Sequence, residues 1–290
     1  MNCSNLKDVS IEGIETIEDH AFQNTGIESI TVSGNTTLSS FVFQRCESLK
    51  TAVLKEGITI IPLGAFVFCD KLESISLPST VEVIKSNAFW NCTRLVEANM
   101  PSSLKTIERG AFQNCRLTEV SLPEGLQTIG ENAFCYNKLT EVILPASLTQ
   151  IGANAFQACG KLKKVVCRGT TPATLDNVNA FAECPINNRI IVPKAGLEAY
   201  RAADNWKDFL IRLETFVLDD TAESYVKDVD DELASIEYTR NFADEEWTAW
   251  YVPFDMPVAD IAEDFEMARI NDIHQLSQAG LTIGNERIAR

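Results

Sequence analysis

Two histidines, His20 and His274, and nine cysteines are the residues of this 290-residue chain best suited to nucleophilic or metal chemistry. A Ser-His-Asp or Cys-His site would have to draw its base from one of those two imidazoles. His20 precedes an Ala-Phe pair, in a slot that holds Asn at Asn87 and Asn132, and reads as a surface turn. His274 lies in an acidic stretch with no evident partner. No Gly-x-x-x-x-Gly-Lys-Ser/Thr or His-Glu-x-x-His motif occurs. The cysteines follow a rule of their own. Cys46, Cys69, Cys92, Cys115, Cys159 and Cys184 each sit three residues after a recurrent Phe, and Cys3 precedes Leu6 as Cys92 precedes Leu95. One residue type at one repeated position is a buried, small apolar slot. A metal set would need Cys-x-x-Cys pairs or nearby His, and neither is present. Cys92 and Cys115 are therefore expected to be reduced and shielded, while Cys135 and Cys167, off the column, are the candidates for reactive thiols. Asp228, Asp230, Asp231 and Glu232 are close enough in sequence for calcium, but they lack the Gly and the distant Glu of a helix-loop-helix calcium site. Acids are so common nearby that a hydrolytic carboxylate pair carries little meaning. No catalytic residue, metal ligand or cofactor is assigned.

The elements behind the cysteine rule are internal repeats of 21 to 23 residues. The clearest copy is Leu72-Glu-Ser-Ile75-Ser-Leu77-Pro78, then Val81-Glu-Val-Ile84, then Ala88-Phe89-Trp-Asn-Cys92. Others begin at Leu6, Ile27, Leu49, Leu95, Leu117, Leu139 and Leu162. A self-similar period in this range is the signature of a solenoid. The spacing predicts a strand with Leu72, Ile75 and Leu77 inward and Glu73, Ser74 and Ser76 outward, stopped by Pro78, which has no N–H to donate. A second short extended segment follows, as at Leu126 and Ile129, with Gly130 or Gly152 expected to permit a turn. Phe22, Phe43, Phe66, Phe89, Phe112, Phe134, Phe156 and Phe181 recur in register and should form one internal column. At about 4.8 Å per rung, eight rungs give a rod roughly 40 Å long. No rung closes a core alone, so each must cover its neighbour.

Composition narrows the partners. The chain is 45% apolar, as globular chains are, and no apolar run approaches the length of a membrane span. Its formal charge of −16 is uneven: 19 Lys and Arg against 22 Asp and Glu in residues 1–211, but 6 against 19 in residues 212–290. The acidic excess argues against nucleic acid and anionic lipid. Met1 leads straight into a repeat remnant, so the chain reads as trimmed at its N-terminus.

The eighth unit departs from the pattern at Gly169-Thr-Thr-Pro172, and Phe181 restores register. The segment from Arg189 to Val192 reads as the last strand, and Ala195 to Ala203 as a helix with Leu197 and Tyr200 on one face. With Trp206 and Phe209 that helix suits a cap over the final rung, at about residues 194–211. Residues 212–290 lose the period. Ile236 to Phe242 alternates like a strand, Trp247 to Phe254 is strand-like and aromatic, and Val258, Ile261, Ala262 and Phe265 fall on one helical face after Pro257. The fold class read from the pattern is β-rich or α+β: a parallel-strand solenoid over 1–211 with a short helical cap, then a small acidic β-rich module over 212–290, cut short.

The consensus Leu-x-x-Ile-x-Leu-Pro-x-x-Leu-x-x-Ile-Gly-x-x-Ala-Phe-x-x-Cys closely resembles leucine-rich repeats of the BspA type, over roughly residues 1–211. The stretch from Val192 to Tyr200 and on to Phe209 is similar to the usual terminus of such arrays. The resemblance implies a right-handed leucine-rich-repeat solenoid, in a secreted or cell-surface bacterial protein with an adhesive rather than catalytic role. Ile27, Thr25 in the Cys slot, Asn137 in place of Cys, and a missing Pro near Thr36 depart from it. The outward strand columns are then the expected binding surface. Its candidates are Thr51, Val53, Ser74, Ser76, Glu97, Asn99, Glu119, Ser121, Glu141 and Ile143. Small polar groups beside carboxylates suit an extracellular protein segment or a glycan. A spacer displaying another domain, or an enzyme whose catalytic part lies outside this chain, are the alternatives.

Overall fold

Each apolar triplet such as Leu72, Ile75 and Leu77 drives one short strand, because alternation with period two buries one side and wets the other. The computed structural model describes residues 3–7, 9–186, 190–210, 237–242 and 245–250. Its first unit of strands comprises β1 (Thr16–Ile17), β2 (Ser29–Val32), β3 (Thr37–Leu38), β4 (Thr51–Leu54) and β5 (Ile60–Ile61). Next come β6 (Ser74–Ser76), β7 (Val83–Ile84), β8 (Glu97–Ala98), β9 (Thr106–Ile107) and β10 (Thr128–Ile129). The series ends with β11 (Glu141–Leu144), β12 (Gln150–Ile151), β13 (Lys164–Cys167), β14 (Thr174–Leu175) and β15 (Ile190–Ile191). β6 stops at Ser76, just short of Leu77 and Pro78.

Equivalent strands stack in parallel, residue for residue: Thr51 opposite Ser74, Ser74 opposite Glu97, Glu141 opposite Lys164. A front ladder contains β2-β4-β6-β8 and, separately, β11-β13-β15. A back ladder contains β1-β3 and, separately, β5-β7-β9-β10-β12-β14. The front ladder is interrupted at residues 118–122, which form no strand. The back ladder is interrupted between β3 and β5, at one of the units that lack the Pro. There Leu38 follows Val32 by six residues, against seven from Leu54 to Ile61. Losing one residue shifts the register on which pairing depends.

The Ala-Phe step forms a third side. It is a tight turn with a left-handed residue two before and two after the Phe, such as Asn87 (φ 55°) and Asn91 (φ 63°) around Phe89. Asn tolerates this region because its short side chain hydrogen-bonds locally, and Gly64 and Gly110 fill the same slot. These turns are laddered too: Phe66 N–H donates to Ala88 O (2.7 Å) and Phe89 N–H to Ala111 O (2.8 Å). Behind them the eight Phe rings stack in one column from Phe22 to Phe181, centroids 5.0–5.6 Å apart. All are buried except half-buried Phe22. Burying one such ring is worth about 1.5–3 kcal/mol.

Gly130 and Gly152 do a different job from the one their sequence position implies. Neither has a positive φ. A Cβ on Gly130 would lie 2.6 Å from Arg109 N, and one on Gly152 would lie 2.3 Å from Glu131 N. Glycine is needed there for close approach between rungs, not for a turn.

The last rung is covered as expected. A 3-10 turn at Lys194–Gly196 leads into α1 (Leu197–Ala202), and α2 (Lys207–Leu210) follows. Trp206 is buried, with its ring 6.3 Å from Phe181 and 5.2 Å from Tyr200. Its indole N–H donates to Ala173 O (2.7 Å), and the Tyr200 hydroxyl donates to Gly169 O (3.1 Å). Trp206 is a packing residue.

The chain divides into two compact units, Met1–Leu213 and Glu214–Arg290. In the second, β16 (Glu237–Phe242) pairs antiparallel with β17 (Glu245–Trp250). The helix expected around Val258 to Phe265, the acidic group Asp228, Asp230, Asp231 and Glu232, and His274 lie outside the described residues.

Candidate functional site

Strand pleating alone places the candidates outward. Thr51, Val53, Ser74, Ser76 and Glu97 are exposed on the β2-β4-β6-β8 face, and exposed Asn99 directly follows β8. Half-buried Glu141 and exposed Ile143 lie on β11, in the second front sheet. Glu119 and Ser121 are exposed on the intervening stretch that belongs to neither sheet. The sequence columns are thus two laddered faces separated by one rung that forms no strand, though Thr118 N–H still donates to Val96 O (3.3 Å).

Charge is distributed by the same stacking. Carboxylates on many rungs find a base on an adjacent one: Glu28 with Lys50 (3.0 Å), Glu82 with Lys105 (3.0 Å), Glu108 with Lys85 (2.7 Å). On the front face Lys164, directly opposite Glu141, pairs with it at 3.0 Å. Among the described residues no ion pair reaches Glu97 or Glu119. Asn99 is already engaged: its amide donates to Leu77 O (3.2 Å) and accepts from Leu77 N–H (3.4 Å). The cause is Pro101. At the equivalent place Lys55 N–H donates to Val32 O (3.0 Å), but proline has no N–H, and the side chain of Asn99 supplies the missing donor.

Inside the array the cysteine column is more than an apolar filler. The Cys69 thiol donates to Phe43 O (3.1 Å), Cys92 to Phe66 O (3.2 Å) and Cys115 to Phe89 O (3.2 Å), always to the Phe carbonyl of the preceding unit. Cys159 and Cys184 repeat the bond to Phe134 O and Phe156 O.

These repeats, with their Ala-Phe-x-x-Cys turns, match the family model of the BspA type leucine rich repeat region over residues 1–96 and 84–199. The chain belongs to the BspA-type leucine-rich repeat family. It is similar to the crystal structure of a leucine rich cell surface protein from Faecalibacterium prausnitzii A2-165, at 27% identity and a TM-score of 0.49, over 58% of this chain and 48% of that one. A Treponema pallidum leucine rich repeat protein aligns at 25% identity and a TM-score of 0.35, covering 52% of this chain and 62% of that one. The pneumococcal vaccine antigen PcpA aligns at 18% identity and a TM-score of 0.37, covering 68% of each. The chain therefore spans about half the length of the Faecalibacterium structure. No curated protein matches it.

Several sequence expectations are corrected within this BspA-type array. Cys135 and Cys167, the candidates for reactive thiols, are both buried, and burial pushes their pKa values up to about 11 and about 12, so neither is a ready thiolate. Cys3, assigned to the buried column, is exposed. All nine cysteines are free, and burial raises the thiols of Cys69, Cys92 and Cys115 well above the ordinary range. Among the described residues no three His, Cys, Asp or Glu side chains are grouped to hold a metal, and no helix is long and apolar enough to cross a membrane. His20 is exposed, left-handed (φ 58°) and stacked on Phe41 at 5.1 Å.

Sequence reasoning missed the outer surface of the Ala-Phe turns. Phe68, Trp90 and Tyr136 stand there at or beside slots that hold Asn in other units, and that mismatch of residue type was the available signal.

Proposed function

We propose that the solenoid is a non-catalytic binding module of a secreted or cell-surface bacterial protein, holding an extracellular protein or glycan on its front strand face. An extended protein segment bearing Lys or Arg is the best chemical match. The observation that carries this reading is the pair Glu97 and Glu119, outward on successive units with no ion pair among the described residues, where Glu141 on the next unit is matched by Lys164. Successive units lie about 5 Å apart, and two carboxylates that close repel whether or not their strands pair. A basic partner offsets that repulsion. Family membership supports the surface location, and the uncovered face of Thr51, Val53, Ser74 and Ser76 supplies the remaining contact area.

The test is the double variant Glu97→Gln, Glu119→Gln, measured for binding to a panel of host matrix proteins and glycans beside its melting curve. The fold should stay intact or gain slightly in stability, and binding should weaken, most clearly at low salt. Undiminished binding to a confirmed partner would remove the front face from the reading.

A further inference from the structure

The outward column two residues after each Phe runs Asn24, Arg45, Phe68, Asn91, Asn114, Tyr136, Ala158 and Glu183. Every one of these residues is left-handed, with φ between 55° and 63°. Asn suits that backbone, whereas a bulky aromatic there is an outlier that local packing has to compensate. Phe68 (φ 61°) is compensated: the Arg45 guanidinium lies 5.2 Å from its ring centre and Trp90 is 5.0 Å away on the next unit. Tyr136 (φ 60°) is not. It is 53% exposed and stacks on no other ring among the described residues. Between these two aromatic positions the column holds two short amides, Asn91 and Asn114. The Asn114 amide donates to Asn91 Oδ1, and among the described residues the Asn91 NH2 group and Asn114 Oδ1 have no other partner. Gln113 lies beside them, half-buried.

The arrangement is an amide floor bounded by the Phe68–Trp90 pair on one side and Tyr136 on the other. From Trp90 to Tyr136 is two rungs. At the same rungs the internal rings are 5.0 Å (Phe89–Phe112) and 5.5 Å (Phe112–Phe134) apart. Trp90, one residue after its Phe, and Tyr136, two after its own, thus sit on turns roughly 10 Å apart, and Asn91 shares the turn of Trp90. Aromatic walls offer apolar surface with few rotatable bonds, and the floor presents a donor beside an acceptor, with no carboxylate or ammonium among the five side chains. That combination matches a neutral pyranose, whose C–H faces are apolar and whose adjacent hydroxyls each donate and accept. It matches a charged ligand poorly.

We propose that Phe68, Trp90, Asn91, Asn114 and Tyr136 form a shallow carbohydrate-binding notch for neutral sugars on the Ala-Phe side of the solenoid. It is separate from the front face and stands whether or not that face binds a protein.

The experiment is saturation-transfer NMR of the 290-residue chain with lactose, maltotriose and tri-N-acetylchitotriose, followed by titration of the responding sugar. Ring C–H protons of at least one sugar should receive saturation. Tyr136→Asn restores the residue that other units use, so the variant should melt at or above wild type while binding about tenfold or more weakly. Trp90→Ala should weaken binding similarly. The front-face variant Glu97→Gln, Glu119→Gln should bind sugar as wild type does, which separates failure of the notch from failure of the protein-binding reading. Absence of saturation for all three sugars, or equal binding by wild type and Tyr136→Asn, would overturn the proposal.

Discussion

The Ala-Phe side and the front strand face run the length of the same array, but only the first is unbroken. On the Ala-Phe side the rings stack without interruption from Phe22 to Phe181, and the turn ladder continues through Phe112 N–H to Ala133 O (2.8 Å) and Phe134 N–H to Ala155 O (2.7 Å). On the front face the ladder stops after β8 and resumes at β11. The difference teaches where register is kept. Rings of one size at one spacing allow no slippage, because each fills the gap between its neighbours. The front strands are short and solvated on one side, so one rung can leave the ladder while the core behind it holds.

Removing a ring from the unbroken side should have the largest effect. Phe112→Ala opens a cavity between Phe89 and Phe134 and should cost about 3–5 kcal/mol in chemical denaturation. A loss below about 1 kcal/mol would show that the column does not carry the register.

The second prediction targets the rung where the two sides differ. Buried Asn137 accepts from Leu117 N–H (3.0 Å) and donates to Phe112 O (2.8 Å) and Phe134 O (3.0 Å). It joins the core to the start of the rung that forms no strand. Asn137→Leu strands two backbone groups and should cost about 2–4 kcal/mol, whereas Asn137→Cys restores a donor and should cost about half as much. Equal losses in the two variants would mean that shape, not hydrogen bonding, selects the residue.

Alkaline titration sharpens the comparison further, because the core thiols stay protonated in the folded state. Burial raises Cys135 to about 11 and Cys167 to about 12, above the ordinary thiol value of 9.0. Unfolded chains then bind fewer protons than folded ones above pH 9, so stability falls as pH rises. The contribution is complete below pH 9 and is lost as pH rises through about 11 to 12. Melting temperature should drop between pH 8 and 10.5. Thiol labelling at pH 8 should leave Cys92 and Cys115 unreacted until denaturant is added. Rapid native labelling at either would contradict the buried column.

The smallest effect belongs to the front face. Glu141→Gln removes a partly exposed ion pair with Lys164 and should cost no more than about 1 kcal/mol, whereas Glu97→Gln removes no ion pair among the described residues and should be neutral or slightly stabilising. A larger cost for Glu97→Gln in thermal melts would show that Glu97 has a structural duty on the face.

Much of this was legible because repetition makes each residue's role visible several times over. The Phe column, the stop at Pro78 and the cap at Trp206 follow from spacing, the missing N–H of proline and the need to cover a last rung. What the sequence hid were relations between units. Gly130 is conformationally ordinary, but a Cβ there would run into Arg109 N, a constraint with no local sign. Thr25 and Asn137 looked like lapses in the Cys slot. Each is a hydrogen-bond donor there, Thr25 to Phe22 O (2.9 Å), so the slot selects a donor as well as a size. The columns containing Glu97, Glu119 and Glu141 looked uniform, and only the pairing of Glu141 with Lys164 and the lost ladder at residues 118–122 separate their members.

The thiol-to-carbonyl bond also has a direction. Each unit brings the donor for the unit before it and offers a carbonyl to the unit after it, as Cys92 to Phe66 and Cys115 to Phe89 show. A gene segment encoding one whole unit, copied in frame into the middle of the array, arrives with both halves of that joint. It replaces one junction by two of the same kind, and the remaining units need no compensating change. Arrays of this design can lengthen or shorten by recombination between their own repeats, while a half-unit insertion would leave a carbonyl unmatched and be lost.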